Sequence, residues 1–311
     1  MKQRRTFGPL AKLLTACLIA SYCHQAFAIG PDTYGYTAAT TTFSFESALG
    51  GTPILADQDD TGVTIPIGFS FLFYGVAYTT VSFTPNGLVT FGGVDSDFQN
   101  DNLTTTAPDA NRPSIGVFWH DWTYLFAGSD QAYYTTLGAV GSRRLIIQWN
   151  QAESATGVNN PQNQDTVTFQ VKLFEGTNNI EFHYQDATVS DDAGVSNGLQ
   201  ATVGIRDTNG HTNGRNLQWS YNQAVISNGL AIRYTHPLGR ITKITRLANG
   251  TTIRLEGLSA PNQVNRIEAA PNLGNPSPFS NLISVTANAS GVFLHDDTSP
   301  GTRRFYRIIA P

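Results

Sequence analysis

Residues 65–73 read Ile-Pro-Ile-Gly-Phe-Ser-Phe-Leu-Phe, with Ile65, Ile67, Phe69, Phe71 and Phe73 at every second position. A period of two lines these side chains along one face of an extended strand; a helix would need apolar residues about every 3.6 positions. Shorter runs rich in Thr, Val, Ile, Phe and Tyr recur at 79–84, 88–91, 115–120, 132–137, 143–150, 166–174, 179–184, 200–205 and 231–235, separated by Gly, Asn and Pro. Past residue 28 nothing sustains helical spacing. The chain is predicted to be all-β, a large antiparallel β-sandwich followed by a second, smaller β-sandwich.

The turns support antiparallel pairing. Of six Asn-Gly pairs, Asn86-Gly87 stands between two strand runs. A type I′ turn needs two positive φ angles, which this dipeptide tolerates, so a two-residue hairpin joining 81–84 to 88–91 is expected. A second hairpin is expected at 175–178, with Phe169, Val171 and Leu173 facing Ile180, Phe182 and Tyr184 across it.

The first 28 residues read as a secretory signal: Lys2, Arg4, Arg5 and Lys12 precede and flank an apolar run at 13–20, and Ala26-Phe27-Ala28 has the form of a cleavage site. Both cysteines, Cys17 and Cys23, fall inside it, so no disulfide or cysteine metal site is expected in the mature chain. The signal holds four of the 19 basic residues and none of the 23 acidic ones, which leaves 15 against 23, a net of −8. That balance and the lack of a basic stripe exclude nucleic acid as the expected partner. No later segment is apolar enough to span a bilayer, so the product is expected to be secreted or held at the cell surface.

A boundary is expected near His236-Pro237-Leu238-Gly239, which divides a domain at 29–236 from one at 240–311. The second has strand runs at 241–247, 252–258, 265–269, 282–287 and 304–309, and a Pro-rich loop at 271–278.

The run 65–75 with Tyr78 and Asn86-Gly87, followed by Val117-Phe118-Trp119 with Asp121, Tyr133-Tyr134, Arg144 to Trp149-Asn150, and 169–182 reading FQVKLFEGTNNIEF, resembles nidogen-like modules over residues 55–235. The tail resembles short fibronectin-like domains of bacterial secreted proteins. The resemblance implies an extracellular β-sandwich of adhesion and matrix proteins with no chemistry attached to the module.

Three kinds of site residue stand out. The five histidines after the signal, His120, His183, His211, His236 and His295, never fall at metal-ligand spacing, and His183 is expected to point outward from its strand. Asp57, Asp59 and Asp60 begin like a calcium loop but meet Thr61 and Gly68 where further ligands belong. Asp191 and Asp192 form another acidic pair. Asp95, Asp97 and Asp101, in a loop free to curl, are the candidate calcium ligands, the alternative being solvated carboxylates. Among the aromatics, Trp122 with His120 on one strand face, and Trp219 with Tyr221 on another, are candidate ligand-binding platforms for a sugar. The expected function is a non-catalytic binding, adhesion or matrix module for an extracellular protein or glycan. A secreted carbohydrate-active enzyme is the alternative, needing two converging carboxyls. The second alternative is a self-associating filament subunit, which an unprotected edge strand, or an N-terminal strand such as 41–46 packing away from its own domain, would support.

Overall fold

The computed structural model describes residues 28–105, 112–125, 131–155, 165–190, 193–237, 239–259, 262–274, 279–289 and 291–309. Nearly all of the signal and the pair Asp191-Asp192 lie outside them.

In chain order the strands of the large unit are β1 (Ala28–Ile29), β2 (Thr37–Thr40), β3 (Thr52–Ile54), β4 (Val63–Phe73), β5 (Val76–Phe83), β6 (Leu88–Thr90), β7 (Ser114–Trp119), β8 (Trp122–Thr123), β9 (Gln131–Leu137), β10 (Arg144–Ser154), β11 (Thr166–Phe174), β12 (Ile180–Asp186), β13 (Thr202–Arg206), β14 (Asn216–Tyr221) and β15 (Ala231–Thr235). A nine-stranded sheet runs β1-β2-β15-β12-β11-β10-β9-β3, with β8 on the end of β10, and faces a six-stranded sheet β14-β13-β7-β6-β5-β4. The protein is thus an all-β sandwich of antiparallel sheets, as its period-two pattern requires.

The alternation in β4 is realised side chain by side chain: Ile65, Ile67, Phe69, Phe71 and Phe73 are buried while Thr64, Pro66, Gly68 and Ser70 face water. Phe71 and Phe73 stack on Phe91 of the neighbouring hairpin at 6.1 and 4.7 Å between ring centres. From the facing sheet come Trp149, Phe169, Phe182 and Tyr184, all without exposed surface. Phe169 pairs with Tyr184, Val171 with Phe182 and Leu173 with Ile180, the expected register.

β4 lies at the rim of its sheet, yet three of its backbone groups from Ile67 onward are occupied. Thr136 donates to the carbonyl of Ile67 at 3.0 Å, Arg143 to that of Gly68 at 2.5 Å, and the Leu72 N–H reaches Asn178 Oδ1 at 2.9 Å. Side chains of β9 and of the turns before β10 and β12 therefore cover part of an edge that would otherwise template pairing with another chain.

The Asn86 hairpin forms, with Ser82 opposite Thr90 and Phe83 opposite Val89, but its turn is longer than expected. Thr84 N–H closes onto Leu88 O at 3.2 Å around three residues, and only Gly87 has positive φ (+70°). Pro85 fixes its own φ negative, and the Asn86 side chain is committed elsewhere, which leaves the left-handed position to glycine alone. A Cβ on Gly87 would lie 2.7 Å from the Phe118 carbonyl, so no other residue fits.

The outer face of the nine-stranded sheet carries polar residues in a row: Gln148 on β10, Gln170 on β11 and His183 on β12. All three are buried, because residues 41–48 cross the sheet on that side. Ser44 N–H donates to His183 Nδ1 (3.3 Å), Glu46 N–H to Gln170 Oε1 (3.1 Å) and Ala48 N–H to Gln148 Oε1 (2.7 Å). Gln170 Nε2 returns a bond to Glu46 O at 2.9 Å. Alternate backbone amides of the strap thus meet side chains of successive strands. His183 points outward as expected, but under this strap and not into water. Residues 41–46 pack on their own sheet, so they do not supply the outward-packing strand that is one of the two features that would support the filament alternative. Lys172, also buried, donates to Ser44 O (2.5 Å) and Glu46 Oε2 (2.8 Å), and Arg144 bonds Glu46 as well.

The small unit begins at β16 (Arg240–Arg246), followed by β17 (Ile253–Leu258), β18 (Val264–Ala270), β19 (Ser280–Thr286), β20 (Val292–Asp297) and β21 (Phe305–Ile309). Sheets β16-β17-β20 and β19-β18-β21 close over Ile253, Leu255, Ile267, Ala287 and Phe293. Phe293 lies directly across Gly257, where a Cβ would meet its ring at 1.9 Å.

Glu46 sits between two cations, and the Arg144 hydrogen bond, followed by Lys172, holds its carboxyl down to about 2 against the desolvation that opposes it. A depressed folded-state pKa means that its stabilisation is complete above the unfolded value near 4.5 and fades as pH falls toward 2. Glu46→Ala leaves buried Lys172 without its carboxylate and is expected to cost about 2 kcal/mol at pH 7. Calorimetry should show Tm lowered by roughly 4–8 °C, with the difference from the parent shrinking below pH 4.

Candidate functional site

One end of the sandwich is organised by a single buried amide. Asn86 Nδ2 donates to Asp60 Oδ1 at 2.9 Å, its Oδ1 accepts the Trp122 N–H at 3.1 Å, and its backbone carbonyl accepts the His120 N–H at 3.1 Å. The loop before β4 is drawn in by a second contact, Tyr124 N–H to Gln58 O at 3.0 Å. Asp59 and Asp60 thereby meet Asp121, which lies about 60 positions later in the chain.

Carboxylate oxygens of Asp59, Asp60 and Asp121 lie within 4.8 Å of one another, each residue half-buried. Partial desolvation pushes the Asp121 carboxyl up to about 6, and the charges of Asp60 and then Asp59 add to it. Asp59 is raised for the same reasons, burial first and Asp60 second. Three anions this close repel one another at neutral pH. The arrangement can bind a divalent cation, or hold a proton on Asp121 near pH 6.

The calcium ligands expected at Asp95, Asp97 and Asp101 do not form such a group. Their loop lies over the outer face of the six-stranded sheet, where Trp119 forms a satellite cluster with Leu88 and Leu103 and donates from Nε1 to Asp97 O at 3.0 Å. Beside it, the fully buried Arg206 has its pKa lowered by desolvation and supported by Asp101 and Asp95. A cation of the chain itself already faces these two carboxylates.

The aromatic platform at Trp122 and His120 is also corrected. Trp122 has no exposed surface and donates from Nε1 to Phe118 O at 2.7 Å, and His120 is 4 % exposed. His120 lies edge-on to Trp122 at 4.7 Å and bonds Gln200 O and Ser154 Oγ at 3.0 and 3.2 Å. Period two gave each face of β7 an aromatic, but both faces are covered, one by the facing sheet and one by the 95–103 loop. Trp219 and Tyr221 on β14 stay half-buried, though not as a matched pair. Register slips between Gln218 and Ser220, and Trp219 rests on the core.

Sequence reasoning passed over a second concavity of about 620 Å³ where the units meet, lined in part by Asp32, Tyr34, His236 and Arg240. Asp32 is spent on structure there: Oδ1 accepts the N–H groups of Tyr34, Gly35 and Tyr36 at 2.8–3.0 Å, and Oδ2 accepts the Tyr74 hydroxyl at 2.8 Å. Burial drives His236 down to about 4, so it is neutral at physiological pH.

The sequence profile of the family described as NIDO related matches residues 34–254, a span that begins before β2 and ends in β17. No curated protein and no solved structure matches the chain. Among the described residues no helix is long and apolar enough to cross a membrane.

A raised carboxyl pKa means that ionisation is penalised in the folded state. For Asp121 the penalty grows as pH rises from about 4 to about 6 and is constant above. Because this carboxylate is about half in contact with water, Asp121→Asn is expected to stabilise the protein by about 1 kcal/mol at pH 7, and to be neutral near pH 4. Thermal melts at the two pH values check both expectations.

Proposed function

The chain belongs to the NIDO-related family, and on that premise we propose that it is an exported, non-catalytic binding module that engages an extracellular protein or glycan through its outer surface. The observation that carries this reading is how the aromatic residues are used. Trp119, Trp122, Trp149 and Phe118 are consumed by packing between or over the sheets. The strap covers the outside of one sheet and the 95–103 loop part of the other, so a partner is left the rim: half-buried Tyr221 and Trp219 on β14, and the acidic end around Asp121. Rim recognition by a few aromatic anchors suits adhesion.

A second reading, a secreted carbohydrate-active enzyme, is favoured by the three convergent carboxylates and the proton affinity of Asp121. The two readings separate in one experiment. The chain from Ile29 onward is screened on glycan and matrix-protein arrays, and every hit is incubated to look for product. The binding reading expects saturable retention with no product, weakened at least roughly tenfold by Tyr221→Ala. Release of new reducing ends, abolished by Asp121→Asn, would replace it with the enzyme.

A further inference from the structure

The strap has two edges, and its own sheet uses one of them. The amides of Ser44, Glu46 and Ala48 point down to the sheet, and the carbonyls of Ser44 and Glu46 accept Lys172 and Gln170 on the same side. In an extended chain the next residues face the other way, so Phe43, Phe45 and Ser47 turn their N–H and C=O groups away from the sheet. Among the described residues none of these six groups has a hydrogen-bond partner.

Side chains of the strap alternate sideways in the same manner. On one flank Ser44 and Glu46 border a concavity of about 510 Å³ shared with Arg233, so the strap stands clear of the sheet there. On the other flank Phe43 and Phe45 stack at 6.3 Å between ring centres, with Phe43 38 % exposed. The devices that blunt an open strand edge are missing: residues 41–48 hold no Pro and no Lys, and their one charge, Glu46, is turned to Lys172 and Arg144. The free groups are also symmetric about Phe45. The same segment turned end for end, with Phe45 opposite Phe45, sets Phe43 opposite Ser47 and pairs every one of them, two bonds at each of three residue pairs. Phe45 then meets its own copy with Phe43 on the diagonal, which gathers the aromatic rings of both strands on one face. Charge permits the approach here: residues 29–236 carry 7 basic and 19 acidic side chains, and three of the seven, Arg144, Lys172 and Arg233, lie beside the strap. Repulsion between two acidic copies is weakest at this place.

We propose that two copies of this chain pair through the outer edges of their straps, residues 43–47 forming an antiparallel two-stranded ribbon about a two-fold axis at Phe45. The same patch serves on both sides, so the contact is isologous: it closes at two copies and does not propagate into a filament. This association is independent of the external ligand that the module takes, and it leaves the rim around Trp219 and Tyr221 free on each copy.

Sedimentation velocity on the chain from Ile29 onward, over a concentration series and together with hydrogen exchange at single amides, tests it. A monomer should give way to a dimer and to nothing larger as concentration rises. The amides of Phe43, Phe45 and Ser47 should exchange fast in the dilute monomer and become protected in the dimer, while those of Ser44, Glu46 and Ala48 stay slow in both. Ser47→Pro removes one outward donor from each copy and should weaken the dimer at least roughly tenfold. Phe45→Lys sets like charges opposite each other and should abolish the dimer, as should Phe45→Glu, whereas an equal mixture of the two variants should restore a dimer with one copy of each. The inward amides remain in all three variants, and melting curves confirm that each is folded. A monomer at every concentration overturns the proposal, as do species that grow past two copies, a dimer in which the three outward amides stay fast, or one that survives Phe45→Lys. A monomer that protects these amides only when given an alternating Thr-Val peptide assigns the edge to a foreign strand and also overturns it.

Discussion

The large unit depends on a contact that runs across its strands. The nine-stranded sheet has an inner face buried by aromatic packing and an outer face whose central strands carry Gln148, Gln170, Lys172 and His183. Buried without partners, each of those groups would be costly. Residues 41–48 remove that cost by offering their own backbone amides and carbonyls, which need partners equally. The same segment links β2, near one edge of the sheet, to β3 at the other. One stretch of chain therefore satisfies a polar face, holds Lys172 next to Glu46 and delivers strands to both margins.

Polar groups at the end of the sandwich follow a similar logic. Asn86 is buried because it makes three bonds to two separate segments, and in doing so it carries Asp60 and Trp122 with it. The cost appears nearby as three carboxylates held close together, where burial and then the charges of Asp60 and Asp59 raise the proton affinity of Asp121. Such a concentration of like charge is destabilising by itself and is relieved by a proton, a cation or a positively charged partner. The small unit shows the reverse condition, with more guanidinium groups than its own acids neutralise.

The strands were legible because their signal is local. Alternation in 65–73 and the facing apolar sets of β11 and β12 gave correct faces and register from spacing alone. Asn86-Gly87 gave the hairpin but not its turn, since the competing factor, the burial of the Asn86 amide by Asp60 and Trp122, comes from distant parts of the chain. Polar residues that alternate with apolar ones read as solvent-facing, so Gln170 and His183 gave no warning of the strap, and residues 41–48 have no pattern that marks a crossing segment. Trp122 was misread because a period of two states which face a side chain takes, not whether something covers that face, and Asp95 because a run of loop acids does not show that Arg206, from a distant strand, faces them. Asp121 could not be joined to Asp59 and Asp60 by any spacing rule.

Hydrogen exchange at single amides tests the central role of the strap most directly. The Thr41 N–H still bonds Ala231 O at 2.9 Å, but the amides of Ser44, Glu46 and Ala48 are held by the side chains of His183, Gln170 and Gln148, from which their protection comes. The account predicts that the amides of Ser44, Glu46 and Ala48 exchange slowly, and that in Gln170→Leu they open together with those of β2 and β3 while β10 and β11 stay protected. Fast exchange at these three amides in the parent protein, with the rest of the sheet protected, would contradict it.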